Sequence, residues 1–205
     1  MNIIIADKSH AIHAHTICEA IETAAQVRGT GIAKRSKEYI ISKMENGNAV
    51  IALEGSTFAG FCYIETWSHD KFVANSGLIV VPEFRNQGLA KKIKHVVFKH
   101  SRTKYPMAKI FSITTGLAVM KLNSTLGYKP VTFSELTNEP SFWNGCQTCK
   151  NYDVLQRTSE TMCLCTGMLF DPKVDLLTNS KKVKEKTFLR LKSIKQSLFL
   201  KKTKK

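Results

Sequence analysis

The sequence predicts an α/β (α+β) layered domain, a mixed sheet flanked by helices. The main observation is alternation: short apolar runs of strand character are separated by stretches whose apolar residues recur at helical spacing. The second is composition, with 43% hydrophobic and 23% charged residues over a chain of 205, enough for one sizeable core. The third is where the charge lies. Residues 181–205 hold eleven Lys or Arg against one Glu, so +10 of the net +15 sits at the end and only +5 falls on the first 180. These values disfavour disordered, collagen-like and coiled-coil chains. No apolar run approaches the roughly 18 residues of a membrane span, and Met1 to Ile5 lacks the basic start and long apolar stretch of a signal peptide, so a cytoplasmic protein is expected.

Asn2 to Ala6, with three consecutive Ile, reads as a short buried strand. Ile12, Ile17, Ala20, Ile21 and Ala24 then recur at near-helical spacing up to about Val27. Ser36 stands three residues before Tyr39 and, with Ile40, Ile41 and Met44, marks a second helix closed at Asn46-Gly47. Ala49–Leu53 and Phe58–Thr66 form a hairpin through Glu54-Gly55-Ser56, and Gly77–Val81 is a strand ended by Pro82. From Gly88 the period becomes helical: Leu89, Ile93, Val96 and Val97 line one face, and Lys91, Lys92, Lys94 and Lys99 are placed on others. Ile110–Thr114 is the next strand, Leu117–Leu126 a helix ending at Gly127, and Tyr128–Phe133 the start of another strand. No internal repeat is present.

Arg85-Asn86-Gln87-Gly88-Leu89-Ala90 lies between a strand and a helix. A glycine there admits close approach of a ligand to the backbone, and the free amides of a helix N-terminus face an anion, typically a phosphate. Arg85 can add a charge-assisted bond. The stretch "GLIVVPEFRNQGLAKKIKHVVF", followed by "STLGYKP" at 124–130, resembles the acyl-CoA site of the GCN5-related N-acetyltransferases (GNAT). "TGIAKRSKEYIISKMENGNAVIALEGSTFAGFCYIETW" is similar to the front half of bacterial enzymes that acetylate the α-amino group of glutamate in arginine biosynthesis, with Arg35-Ser36 on their "RS" step. "PVTFSELTNEPSFWNGCQTCKNYDVLQRTSETMCLCTGML" is similar to their C-terminal part. The resemblance covers residues 1 to about 172 and implies one acyltransferase domain with a mostly antiparallel, twisted sheet, leaving 173–205 as a basic tail.

The resemblance implies direct attack of an amine on acetyl-CoA with no covalent intermediate, so the protein positions two reactants, polarises the acyl oxygen and removes a proton. It places the acyl carbonyl on backbone amides of Leu78, Ile79, Val80 and Val81, and the pyrophosphate on the turn Arg85, Asn86, Gln87, Gly88, Leu89 and Ala90. Glu65 is the leading candidate base, against a plain solvent-facing strand Glu; His69 is the second. Relatives carry a Tyr as acid where this chain has Asn123, so Tyr128 or solvent would protonate the thiolate, unless Tyr128 is simply core. Arg35, beside Ser36, is the candidate for a substrate carboxylate, against a surface Arg next to a helix cap. The acceptor is a small-molecule amine, foremost glutamate; a protein or polyamine amine, or a succinyl-CoA donor, are the alternatives within the fold.

Cys146-x2-Cys149 and Cys163-x-Cys165 place four thiols within twenty positions, which suggests a structural zinc ion, against four buried free thiols. His10, His13 and His15 have no carboxylate placed to orient them and read as a solvated first turn. In the tail, Phe188, Leu191, Ile194 and Leu198 recur among lysines as in a basic amphipathic helix, a surface for a membrane, nucleic acid or an acidic protein, or else a solvated or frayed extension. A homodimer is compatible with these features. The non-enzyme alternative is a zinc-stabilised nucleic-acid-binding module; it lacks interleaved basic and aromatic residues in the cysteine segment and leaves the acyl-CoA turn without a role.

Overall fold

The computed structural model describes residues 1–28 and 33–175. One compact unit spans Met1–Phe170; a second begins at Asp171, whose described part holds a local bond from the Lys173 amide to Asp171 Oδ1. The tail residues read as an amphipathic helix lie outside the described residues.

The expected alternation is present. β1 (Asn2–Ile5) leads through a 3-10 turn, Lys8–His13, into α1 (Ala14–Arg28) and then α2 (Lys37–Glu45). Ser36 is the N-cap of α2, its Oγ accepting from the Tyr39 amide at 3.2 Å. β2 (Ala49–Glu54), β3 (Thr57–Trp67) and β4 (Phe72–Val80) follow as an antiparallel meander from β1. α3 (Leu89–Lys104) crosses over to β5 (Lys109–Thr114), and α4 (Leu117–Thr125) to the short β6 (Lys129–Val131). α5 (Pro140–Asn144), α6 (Tyr152–Arg157) and β7 (Thr166–Phe170) complete the unit.

The seven strands lie in the order β1-β2-β3-β4-β5-β7-β6. All pairs are antiparallel except β4–β5, which is parallel. Strand side chains alternate between faces, so Ile51, Phe61, Tyr63 and Ile79 meet Ile17, Ile21, Ile40 and Met44 of α1 and α2, while Val50, Ala52, Ile64 and Ile110 meet Ile93 and Val97 of α3. A third cluster, Phe111, Phe133, Phe142, Trp143, Leu155 and Leu169, packs the C-terminal segment against β5 and β7.

Three expectations change. The strand read as Gly77–Val81 begins five residues earlier, at Phe72. The strand read as Tyr128–Phe133 is only Lys129–Val131, because a 3-10 turn at Phe133–Glu135, capped by Thr132, ends it. Lys94, read as lying off the apolar face, is buried to 2% exposure, since a 3.6-residue period sets it beside Val97 and Ser101 on the inner side of α3.

Candidate active site

The parallel seam between β4 and β5 is only three residue pairs long, Phe72–Lys109, Val73–Ile110 and Ala74–Phe111. Beyond Ala74 the strands diverge, so Asn75 to Val80 has β3 on one side and no strand on the other. A cavity of about 880 Å³ opens in the gap, lined by Asn75, Ser76, Gly77 and Leu78 from β4 and by Ser112, Ile113 and Thr114 from β5. Unpaired backbone on a cavity wall is a set of donors and acceptors waiting for a ligand with amides and carbonyls of its own.

β4 also carries an irregularity. Its register to β3 slips between Phe61–Ile79 and Tyr63–Ser76, which leaves Gly77 and Leu78 opposite the single residue Cys62. Gly77 has φ +65°, and a Cβ placed on it would lie 2.4 Å from the Tyr63 ring, so both conformation and space demand glycine. Of the residues assigned to the acyl carbonyl, Leu78 lines the cavity; Ile79 packs towards α1 and α2, Val80 towards α3, and Val81 caps the 3-10 turn Pro82–Phe84.

Arg35, just before the α2 cap, enters the same cavity. Its Nε donates to Tyr63 Oη at 2.8 Å and its Nη1 to the Lys34 carbonyl at 3.0 Å, and the guanidinium lies over the Tyr39 ring, 5.4 Å from its centre. No carboxylate among the described residues forms an ion pair with it. Glu65 lines the cavity too and is paired with Lys43, Nζ to Oε1 2.8 Å. The Tyr39 ring meets Tyr63 edge-on, 5.6 Å between centres, and lies under the Lys43 ammonium, 4.6 Å away, so Arg35, Tyr63, Tyr39, Lys43 and Glu65 form one contiguous cluster. Burial holds the Tyr39 and Tyr63 phenols protonated far above neutral pH. His69 lies in the turn Ser68-His69-Asp70, where three residues have positive φ, away from the cavity lining.

The turn Arg85–Ala90 lies outside the cavity lining, at the start of α3. Gly88 is the helix N-cap with φ +74°, and nothing lies within 4 Å of a Cβ built on it. Asn86 shares the left-handed conformation, at φ +62°. Arg85 Nε donates to the Val80 carbonyl at 3.0 Å, tying the turn to the end of β4. With no side-chain cap bond at Gly88, the amides of the first helical turn face open space.

Tyr128 is not brought to the cavity. It is 2% exposed, its hydroxyl donates to Asn75 Oδ1 at 3.0 Å, and burial raises its pKa well above the ordinary value. Asn123 is fully buried, its Nδ2 donating to Ser112 Oγ at 2.7 Å. The residue missed by sequence reasoning is Lys94, which lines the cavity at the point where β4 leaves β5. The signal was available in its position four residues after Ala90, three before Val97 and seven before Ser101.

The four grouped cysteines line one wall of the cavity, but among the described residues no group of three or more His, Cys, Asp or Glu is arranged to hold a metal ion. Cys146, Cys163 and Cys165 lie against the Phe142–Trp143 cluster, and Cys163 Sγ points at the Asn151 carbonyl, 3.8 Å away. Burial, reinforced by neighbouring thiols, pushes Cys146 up to about 11 and Cys165 to about 12. At the N-terminus, carboxylates do meet the histidines: Asp7 Oδ1 lies 2.9 Å from His10 Nδ1 and Glu19 Oε1 lies 3.3 Å from His15 Nε2, both on exposed surface.

A seven-stranded sheet that splits between strands 4 and 5, with a bulge in the fourth and a glycine-capped turn into the following helix, defines the GCN5-related N-acetyltransferase fold. Solved structures agree. The chain is similar to N-acetylglutamate synthase from Neisseria gonorrhoeae, solved with coenzyme A and N-acetyl-glutamate, at TM-score 0.60 and 14% identity over 83% of this chain and 34% of that one. It is similar to an acetyltransferase of the GNAT family from Staphylococcus aureus (0.58, 14% identity, 83% of this chain and 98% of that one) and to a putative acetyltransferase from Salmonella typhimurium solved with acetyl-CoA (0.55, 15% identity, 84% and 94%). This chain thus spans about a third of the gonococcal synthase. No family model and no curated protein matches the sequence.

Proposed function

We propose that the protein transfers an acetyl group from acetyl-CoA to the α-amino group of a small amino acid, glutamate foremost. The observation that carries this reading is the cleft between β4 and β5, with unpaired β4 backbone on one wall and Arg35, without a carboxylate partner among the described residues, on another. The pantetheine arm has amides of its own and would lie as a substitute strand along β4, its pyrophosphate against the open amides after Gly88. The bulge at Gly77–Leu78 turns backbone amides towards the thioester carbonyl, where negative charge grows as the amine attacks.

On the acceptor side, Arg35 would hold the α- or side-chain carboxylate with two parallel bonds, kept in place by Tyr63 and the Lys34 carbonyl. Glu65 would take the proton lost by the amine. Because Lys43 already neutralises Glu65, Arg35 leaves this end of the cavity net positive, which suits an anionic amino acid better than a polyamine or a lysine side chain. The structures solved with coenzyme A and with acetyl-CoA support the donor class, and the gonococcal synthase, solved with N-acetyl-glutamate, supports the acceptor class.

The test is a thiol-release assay with acetyl-CoA and succinyl-CoA against the twenty amino acids. Release that depends on glutamate or another acidic amino acid is expected. Release only with a peptide or polyamine moves the acceptor while keeping the fold's chemistry, and no release with any acceptor rejects the reading.

A further inference from the structure

A lysine ammonium carries three N–H donors and is expensive to bury without a counter-charge. Lys94 is buried to 2% exposure, yet no carboxylate among the described residues pairs with it. Its acceptor among the described residues is Asn75 Oδ1, at 3.2 Å, and that oxygen also accepts from the Tyr128 hydroxyl at 3.0 Å. Asn75 is held in turn by its Nδ2 bond to Ser101 Oγ, 2.9 Å, with Ser101 anchored on the Val97 carbonyl. The Tyr128 ring lies under the ammonium, 5.1 Å from centroid to Nζ. The network therefore fixes the nitrogen firmly and leaves two of its N–H groups without an acceptor among the described residues.

Where the network fixes it decides the matter. Asn75 is the first residue of β4 beyond the last β4–β5 pair, so Lys94 stands at the root of the cleft, and it lines the cavity together with Ser76, Gly77 and Ser112. An acyl-CoA arm laid along β4 from the Gly88 turn would bring its sulfur end towards this root. The inference rests on the acyl-transfer reading above.

We propose that Lys94 is the proton donor to the departing coenzyme A thiolate. The attacking nitrogen forms its bond to the acyl carbon and the carbon–sulfur bond breaks with its electron pair on sulfur. That sulfur takes a proton from the Lys94 ammonium, leaving a neutral amine. The proton shed by the attacking nitrogen goes to the acceptor-side base, and the amine regains a proton from solvent once the products leave. Tyr128, the phenol nearest by, is committed to Asn75 and held protonated by burial, and so supports the lysine rather than replacing it.

The acidity is suited to the task. Burial brings Lys94 down to about 8, close to the roughly 8.5 of an ordinary thiol, so transfer to a leaving thiolate is nearly balanced. The other titratable groups facing it are the Cys62 thiol on β3, which burial pushes up to about 11, and the Tyr128 phenol; neither ionises below pH 9.

The experiment is the pH dependence of kcat for the intact chain with acetyl-CoA and its best acceptor, in the native protein and in Lys94→Met and Lys94→Arg. In the native protein kcat should pass through a falling limb near pH 8 as the donor form is lost. Both variants should lose about a hundredfold in kcat, with the limb abolished and the acceptor KM within threefold. A variant within threefold of native kcat that keeps the limb overturns the proposal. Should neither variant fold, the native profile alone decides, because a kcat that never falls up to pH 9.5 excludes a donor of this acidity. Absence of thiol release from the native protein with every acceptor is a different result: it rejects the acyl-transfer reading, and the donor role with it.

Discussion

Gly77→Ala is the sharpest test of how the bulge, the aromatic ring and the arginine are linked. An L-residue held at φ +65° costs about 1–2 kcal/mol relative to glycine. The added methyl would lie 2.4 Å from Cε1 and 2.8 Å from Cδ1 of Tyr63, a ring 1% exposed whose hydroxyl is bound by Arg35, so the clash cannot be relieved by a swing into solvent. Overpacking of this kind costs a further 1–3 kcal/mol. The total, about 3 kcal/mol, corresponds to a fall in Tm of about 6–12 °C for a domain of this size. Gly88→Ala is the internal control, since its φ of +74° carries the same conformational cost but open space surrounds the new methyl. It should lose only about 1–2 kcal/mol by urea unfolding followed by circular dichroism. Equal losses in the two variants would show that Tyr63 yields freely, and the account of Tyr63 as a rigid support for Arg35 would be wrong.

Gly88→Val should lower coenzyme A affinity by tenfold or more in calorimetric titration while urea unfolding shows a loss of about 2 kcal/mol, because its branched side chain would occupy the space over the turn; unchanged affinity would remove the pyrophosphate from this turn. Arg35→Met should raise the acceptor KM about ten- to a hundredfold with a smaller change in kcat, as expected for a lost charge-assisted carboxylate bond, and initial rates across acceptor concentrations would read this directly. Burial holds Cys146 near 11 and Cys165 near 12, so both should alkylate slowly with iodoacetamide at pH 8, as followed by mass spectrometry. In the unfolded chain the same thiols ionise near 9, so native stability should decline between about pH 9 and 12, the direction set by fewer protons bound in the unfolded state.

The strand–turn–helix around Gly88 was readable from sequence because each step had a local signal: an apolar run, Pro82, a glycine and a 3.6-residue period. The first half of β4 was not, since Asn75, Ser76 and Gly77 interrupt the apolar alternation, and they do so because they form the cavity wall and the bulge. Thr166–Phe170 escaped notice as a strand because its partner, β5, lies more than fifty residues away and its neighbours are cysteine-rich loops. Glu65 and Arg35 were found as chemically suitable residues on suitable elements, but the two tyrosines that join them could only emerge from the fold. Tyr128 shows the opposite failure: the residue type suited an acid, and burial against Asn75 removed it from the cavity. The grouping of the four cysteines was legible from their spacing, whereas the packing of Cys146, Cys163 and Cys165 against the Phe142–Trp143 cluster could only emerge from the fold.

The three-pair seam between β4 and β5 has a consequence for how the sheet holds together. Two antiparallel blocks, β1 to β4 on one side and β5, β7 and β6 on the other, share very little backbone bonding. A ligand arm bonded along β4 and packed against β5 would act as an additional rung between the blocks, so occupancy and cooperativity of unfolding would rise together. Amide hydrogen exchange would reveal it: the cleft-facing amides of Asn75 to Val80 exchange readily in the free protein and become slow when coenzyme A is added, while those of β1 and β2 keep their rates.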